Sequence, residues 1–357
     1  MTSEGATGTM GESMKAVWFS ELGGPEKLQF GDQPRPTPGP EQALVRIQAC
    51  GVNRLDIYAR TGRTPVKLPH ISGSEAAGEV VAYGPGVVRE PAPVGARVAI
   101  APYLFCGQCE YCRTGDETVC VKGDILGLGG QGAFAEYVVA PVSSLVPIPD
   151  GVDATSAAAV GLAMITAWRL LITRAKVRAG DTVLVHAAGS GVGSAAVQIA
   201  RLAGARVIAT VGSSEKMALA RKLGADEVIN YREQDFAQEA RRLTGKRGVS
   251  LVVEHIGADT WEKSVSCLAR GGRLATCGAT TGNEGQTNIW SLFAKELSLI
   301  GSYGGTRADL ATVLSLVAAG KLKPVIHRTL PLENVADAQR MLEERSTFGK
   351  IVIDTTK

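Results

Sequence analysis

Hydrophobic and polar positions change rhythm once along this chain. From Met14 to about Ala163, short runs alternate apolar and polar residues, as in Ala43–Cys50 (ALVRIQAC) and Gly95–Ile100 (GARVAI), between stretches rich in Gly and Pro. A two-residue period broken by frequent turn formers predicts an irregular, mostly antiparallel β domain. From about Thr166 onward, apolar runs alternate with helical patterns. Strands are predicted at Thr182–Ala187, Arg206–Val211, Glu227–Asn230, Val249–His255, Gly272–Gly278 and Leu297–Ser302. Amphipathic helices are predicted between them at Val192–Ala203, Glu215–Leu223, Asp235–Leu243 and Thr260–Ala269. Six strands alternating with helices read as a doubly wound parallel sheet. The tail, Thr306–Lys357, ends in a strand-like KIVID and is expected to return to the first domain. No internal repeat or low-complexity segment interrupts this pattern.

Composition narrows the function. The 357 residues suffice for two domains with cores of their own. The net charge of +3 and the absence of basic runs argue against nucleic acid as a partner. No stretch approaches the ~20 apolar residues of a membrane span. The first thirteen residues, MTSEGATGTMGES, lack the basic and apolar regions of a secretory signal. They read as a flexible leader before a folded chain starting at Met14, with a cytoplasmic location expected.

Thr182–Gly193 reads TVLVHAAGSGVG and runs at once into the helical SAAVQIARLAG. Glycines 189, 191 and 193 allow a tight turn that a pyrophosphate can approach, and the helix beyond offers free N–H groups and its positive end. The predicted strand before Gly189, Ser190, Gly191, Val192 and Gly193, and the helix after them, distinguish this run from a lone glycine triplet. At the end of the second strand, an NAD-binding chain carries an acid for the ribose 2′-OH. Here the segment is ATVGSSEK, with Ser213, Ser214 and Lys216, and Glu215 is expected to face solvent. Small hydroxyls and a lysine suit a 2′-phosphate, and Tyr231 adds a third hydroxyl. These residues point to NADPH. A solvated helix lysine is the competing account of Lys216.

Cys106, Cys109, Cys112 and Cys120 form C-x2-C-x2-C-x7-C. Four thiolates at such spacing wrap one tetrahedral Zn²⁺, and a site closed by four sulfurs leaves no position for substrate. The metal expected is therefore structural, with Gly107 and Gly115 shaping the loop; an iron–sulfur cluster is the rival.

With the glycine turn and the four cysteines together, the chain resembles the medium-chain dehydrogenase/reductase superfamily, which includes zinc alcohol dehydrogenases and quinone oxidoreductases, from Met14 to Lys357. The resemblance implies an α/β architecture: a GroES-like β-rich catalytic domain, 14–163 plus 304–357, around a Rossmann cofactor domain, 164–303. The cysteines are similar to the structural-zinc lobe of the alcohol dehydrogenases. HAAGSGVG, GSSEK, Ile229–Tyr231 (INY) and Gly51–Gly62 (GVNRLDIYARTG) look more like the NADPH-using quinone oxidoreductases.

Where the alcohol dehydrogenases place catalytic-zinc ligands, this chain has Asn53, Ser74 and Leu162, and Leu55 replaces their proton-relay hydroxyl. Glu75 and Asp56 match acids that surround that metal and are expected to surround nothing here. The resemblance further implies Arg54 and Lys350 as cations against the pyrophosphate. It implies Thr166, Cys277, Gly278, Ala279, Ser302, Tyr303 and Gly304 around the nicotinamide, and Asn53 and Tyr58 as polar residues of the substrate pocket. Ordinary loop hydrogen bonding is the competing account of Asn53 and Tyr58. Cys50, Cys267 and Cys277 read as core residues, and His70, His186, His255 and His327 as structural.

The expected function is hydride transfer from NADPH to a quinone or an α,β-unsaturated carbonyl, with small molecules as the only substrates and a homodimer or homotetramer as the assembly. The alternative is a zinc alcohol dehydrogenase with substitute ligands such as Cys50, Asp56 and Glu75. A non-enzymatic cofactor sensor or nucleic-acid binder on the same fold is the third hypothesis.

Overall fold

A computed structural model describes residues 12–357. Six parallel strands form the cofactor-domain sheet, in the order Glu227–Asn230, Arg206–Val211, Thr182–Val185, Val249–Glu254, Leu268–Thr276, Ser298–Gly301. In chain order this is 3-2-1-4-5-6, the doubly wound arrangement, whose crevice opens where the order reverses, between Thr182–Val185 and Val249–Glu254. Buried Val and Leu of Thr182–Val185 fit a strand covered on both faces. The helices Gly191–Leu202, Ser214–Lys222, Phe236–Leu243 and Trp261–Ser266 lie where their periodicity predicts. The last stops short of Ala269 because the fifth strand begins at Leu268, four residues earlier than expected. The helix Ile289–Ala294 escaped the sequence reading, and its Ile289, Trp290 and Phe293 are exposed.

The other domain is built on a seven-stranded sheet. Its path runs Ile326–Pro331, Lys350–Asp354, Gln42–Gly51, Glu75–Tyr83, Arg97–Ile100, Leu145–Pro147, with Tyr137–Pro141 also paired to Gln42–Gly51. The tail does return: Val352 pairs with Gly51, antiparallel. One apolar cluster joins the domains, from Ala77 and Ala99 through Ala158, Met164 and Ile165 to Val183 and Val207.

The leader needs correcting at its end. The strand Ser13–Trp18 starts within it, and Glu12 pairs with Arg35. Residues 1–11 lie outside the described residues. Among the described residues no single helix is long and apolar enough to cross a membrane.

Candidate functional site

A cleft of about 1020 Å³ opens at the sheet's switch point and is walled by both domains. Its floor is the glycine turn. The Ser190 hydroxyl accepts from Gly193 N (2.9 Å) and caps the helix Gly191–Leu202, whose first N–H groups face the cleft. A Cβ on Gly193 would lie 2.2 Å from the Ala187 carbonyl, so only glycine fits there. The C-terminal segment is docked on the turn, with Gly349 N donating to Gly189 O (2.8 Å).

At the end of the second strand, Gly212, Lys216, Tyr231 and Arg232 line the cleft, joined by Arg345 from the other domain. Gly212 has no side chain, and the Tyr231 hydroxyl lies 2.6 Å from where its Cβ would stand. Lys216 reaches across to the Arg345 carbonyl (2.8 Å). Burial holds its ammonium below the usual lysine range, opposed by Glu215 and reinforced by the Arg232 guanidinium. Two of the acids lining the cleft are engaged: Glu233 accepts from Asn230 Nδ2 (2.7 Å) and Asp235 pairs with Lys263 (2.7 Å). Ser213 is not among the lining residues; its hydroxyl caps the helix Ser214–Lys222. The expectation that it faces the cofactor is therefore corrected.

The opposite end is lined by Thr166, Cys277, Gly278, Ala279, Tyr303 and Gly304, with Leu162 and Tyr103. Tyr103 was not anticipated. It packs edge-on to Tyr303 (5.3 Å between centroids), and burial pushes its phenol well above the usual range. A Cβ on Gly304 would penetrate its ring, which explains glycine there. Burial likewise pushes the Cys277 thiol up to about 12, which disfavours its thiolate. Ser302 lines a smaller neighbouring cavity with Thr118 and Arg169 rather than this cleft, its hydroxyl buried, which corrects its placement beside the nicotinamide.

The centre of the cleft differs most from expectation. Glu75 is fully buried and surrounds a cation. Its Oε1 accepts from the N–H groups of Leu162 (2.6 Å) and Ala163 (3.2 Å), and its Oε2 from Asn53 Nδ2 (3.0 Å) and Lys350 Nζ (2.6 Å). Lys350 also donates to Val52 O (2.9 Å) and Asn53 Oδ1. Its stem runs beside Gly191, its Cδ 2.8 Å from that residue's absent Cβ. The ammonium is thus turned inward, away from the pyrophosphate turn, which corrects the first expectation for Lys350. Asn53 is saturated too, its second amide N–H donating to Gly51 O (3.2 Å), so in this arrangement it offers no free donor.

Asp56 accepts from Asn53 N (2.7 Å) and Gly73 N (3.1 Å), closing a capping box at the start of the helix Arg54–Arg60. Burial raises its carboxyl to about 7, against the pull of those N–H bonds. Arg54 lines the cleft and donates to Leu342 O (2.8 Å). Tyr58 lines it as well, its ring covered by Arg63 at 4.3 Å. Arg63 also donates to Ala279 O (2.7 Å), tying the two walls together.

The four cysteines converge in the lobe between Leu104 and Asp124, with all four sulfurs within 4.8 Å of one another. A tetrahedral ion with 2.3 Å bonds needs sulfurs ~3.8 Å apart; Cys109 and Cys120 are at 3.8 Å and Cys106 and Cys112 at 4.0 Å. Backbone N–H groups of Gln108 and Cys109 point at the Cys106 sulfur and hold its thiol below the usual range. Gly107 and Gly115 adopt φ of 70° and 83°, as the loop requires. These residues fit a structural Zn²⁺. Among the described residues no other group of three or more His, Cys, Asp or Glu could hold a metal ion. Cys50, Asp56 and Glu75 lie near one another, but their ligand atoms do not converge on one metal position.

Three of the four histidines are held in the fold. His186 bonds Ser264 Oγ (2.9 Å) and burial lowers its pKa to about 4; His255 bonds the His186 carbonyl (2.9 Å) and His70 the Gly127 carbonyl (2.8 Å). His327 is exposed.

Known proteins are similar to this chain in sequence and fold. Residues 39–150 match the family described as Alcohol dehydrogenase GroES-like domain, and residues 191–319 the one described as Zinc-binding dehydrogenase. The chain is 33% identical to a quinone oxidoreductase of Pongo abelii, covering 95% of this chain and 97% of that one. It is 36% identical to an alcohol dehydrogenase of Geobacillus stearothermophilus, covering 95% and 99%. A crystal structure of an NAD-dependent alcohol dehydrogenase superposes with a TM-score of 0.91 at 45% identity, over 96% of this chain and 100% of that one. With a GroES-like sheet, a doubly wound cofactor sheet and a four-cysteine lobe, the chain belongs to the medium-chain dehydrogenase/reductase superfamily and is an oxidoreductase of that type.

Proposed function

We propose that the protein is an NADPH-dependent reductase that delivers hydride to a quinone or an α,β-unsaturated carbonyl without a catalytic zinc. The observation behind this reading is the donor set at the centre of the cleft. Asn53 and Glu75 are bound to the Lys350 ammonium, Leu162 is apolar, and both carboxylate oxygens of Glu75 are engaged. A conjugated acceptor suits such a site, because its charge spreads to an oxygen that a few donors can stabilise. Tyr58 is the neutral donor and proton source in this reading.

The bound cofactor supplies the hydride. Gly189, Ser190, Gly191, Val192 and Gly193 would receive its pyrophosphate, with Arg54 opposite; Thr166, Gly278, Ala279 and Tyr303 would flank its nicotinamide. Lys216, Arg232 and Tyr231 would meet the 2′-phosphate. A hydrogen bond to a charged group contributes about 1.5–3 kcal/mol. Lys216→Ala is therefore expected to weaken NADPH by roughly ten- to a hundredfold and NADH hardly at all, measured by titrating both cofactors. Equal losses would show that Lys216 does not read the phosphate.

The test of the reaction class compares quinones and enones as acceptors with simple alcohols as donors, on metal-quantified enzyme. Reduction of the former with little alcohol oxidation is expected. Chelator-sensitive alcohol oxidation would instead establish the second reading, an alcohol dehydrogenase, which relatives bearing that name favour. That reading requires Cys50, Asp56 and Glu75 to rearrange, and burial together with the nearby Asp56 and Glu75 carboxylates holds the Cys50 thiol well above its usual range.

A cytoplasmic homodimer or homotetramer completes the proposal. The edge strand Ser298–Gly301, next to the exposed Ile289, Trp290 and Phe293, supports a second copy joining there.

A further inference from the structure

Hydride arriving at the far carbon of an enone, or on a quinone ring, breaks a π bond and leaves the electron pair on oxygen. The question, which rests on the reductase reading, is what meets that charge. The other cations lining the cleft differ in place: Lys216 binds Arg345 O and Lys263 binds Asp235 towards the ribose end, Arg54 binds Leu342 O and Arg63 binds Ala279 O. Lys350 alone is embedded at the centre, among Val52, Asn53 and Leu162.

We propose that the Lys350 ammonium is the catalytic cation that stabilises this oxyanion, with Asn53 as its latch and Glu75 as its positioning residue. Three acceptors hold the ammonium: Glu75 Oε2 at 2.6 Å, Val52 O at 2.9 Å and Asn53 Oδ1. Glu75 is fixed by two backbone N–H groups, and Val52 O belongs to the main chain. Asn53 Oδ1 is the partner that a side-chain rotation can release. An incoming oxyanion that takes its place exchanges a neutral acceptor for a charged one, which forms the stronger hydrogen bond. The same rotation frees an Asn53 N–H from Glu75 or Gly51 O, so two donors reach one oxygen. The proton that completes the reduction comes from Tyr58 or water, and Lys350 stays an ammonium throughout. Hydride and proton are added to the acceptor, and the reduced nicotinamide is oxidised.

The experiment uses 4-nitrophenol, a stable phenol whose ionisation is visible by absorbance, bound to the intact protein with and without NADP⁺. The wild type is expected to prefer the phenolate over the phenol by about tenfold. The isosteric neutral pair Glu75→Gln/Lys350→Met removes the cation without stranding a charge and should abolish that preference, while Lys350→Arg restores it. Melting temperature and far-ultraviolet circular dichroism establish that each variant is folded. A wild type that does not favour the phenolate, a preference that survives in the double variant, or an arginine variant that behaves like methionine would overturn the proposal. Quinone and enone turnover, measured in parallel, separates the two readings. A Lys350-dependent phenolate preference without such turnover upholds the cation and overturns the reaction class. Turnover with no role for Lys350 does the reverse.

Discussion

Glu75→Leu is expected to cost on the order of 3–5 kcal/mol, because it strands the Lys350 ammonium in a site where the lysine side chain is 6% exposed. It also leaves the Leu162 and Ala163 N–H groups, at the start of the helix Ala163–Trp168, without their carboxylate. The loss is read as a fall of roughly 10 °C in melting temperature. Lys350→Met, which strands the carboxylate instead, should be similarly damaging. The double replacement Glu75→Gln/Lys350→Met should cost less than either single change, since neither charge is left alone. Additive losses in that cycle would show that the pair does not act as a unit.

The second large effect is expected at the cysteines. A structural zinc contributes its binding free energy directly to folding, so Cys112→Ser should lose the metal and loosen the lobe. The lobe is closed by the two-stranded ladder of Tyr103–Leu104 with Asp124–Ile125, and Tyr103 and Ile125 line the cleft. The damage should therefore extend from stability to substrate affinity, with KM rising more than cofactor Kd. Elemental analysis should find one zinc per chain in the wild type and none in the variant, and limited proteolysis should cut the variant between 105 and 123. Two metals per wild-type chain, or an iron chromophore, would contradict the four-sulfur zinc site.

What could be read from the sequence was what is local in it. The glycine turn spans five residues and the cysteine lobe fifteen, so spacing alone specifies each geometry. Alternating apolar strands and amphipathic helices disclosed a doubly wound parallel sheet for the same reason. The centre of the cleft was misread because its parts are far apart in the chain: Asn53 meets Glu75 across 22 residues and Lys350 across 297. A signal was nevertheless present. Lys350 opens the apolar run KIVID, and Glu75 opens the apolar EAAGEVV. A charge at the head of a strand buried on both faces has to find its opposite. Pairing those two orphans would have located the ion pair. Arg63, Tyr103, Arg232 and Arg345 carried no such mark, since each looks like an ordinary loop or strand-end residue until the domains meet.

The docking of the last strand beside Gln42–Gly51 also bears on how the molecule is made. A ribosome delivers the first half of the β domain early, with Val52 and Asn53 in place and an empty berth beside them. The strand that fills this berth, and the Lys350 that bonds Val52 from 298 residues away, emerge only after the whole cofactor domain. The Rossmann half can thus fold as a unit during synthesis, whereas the catalytic half and the interdomain cleft are completed together, in one late step. A nascent chain arrested before Phe348 should hold a folded cofactor sheet and still lack a finished site.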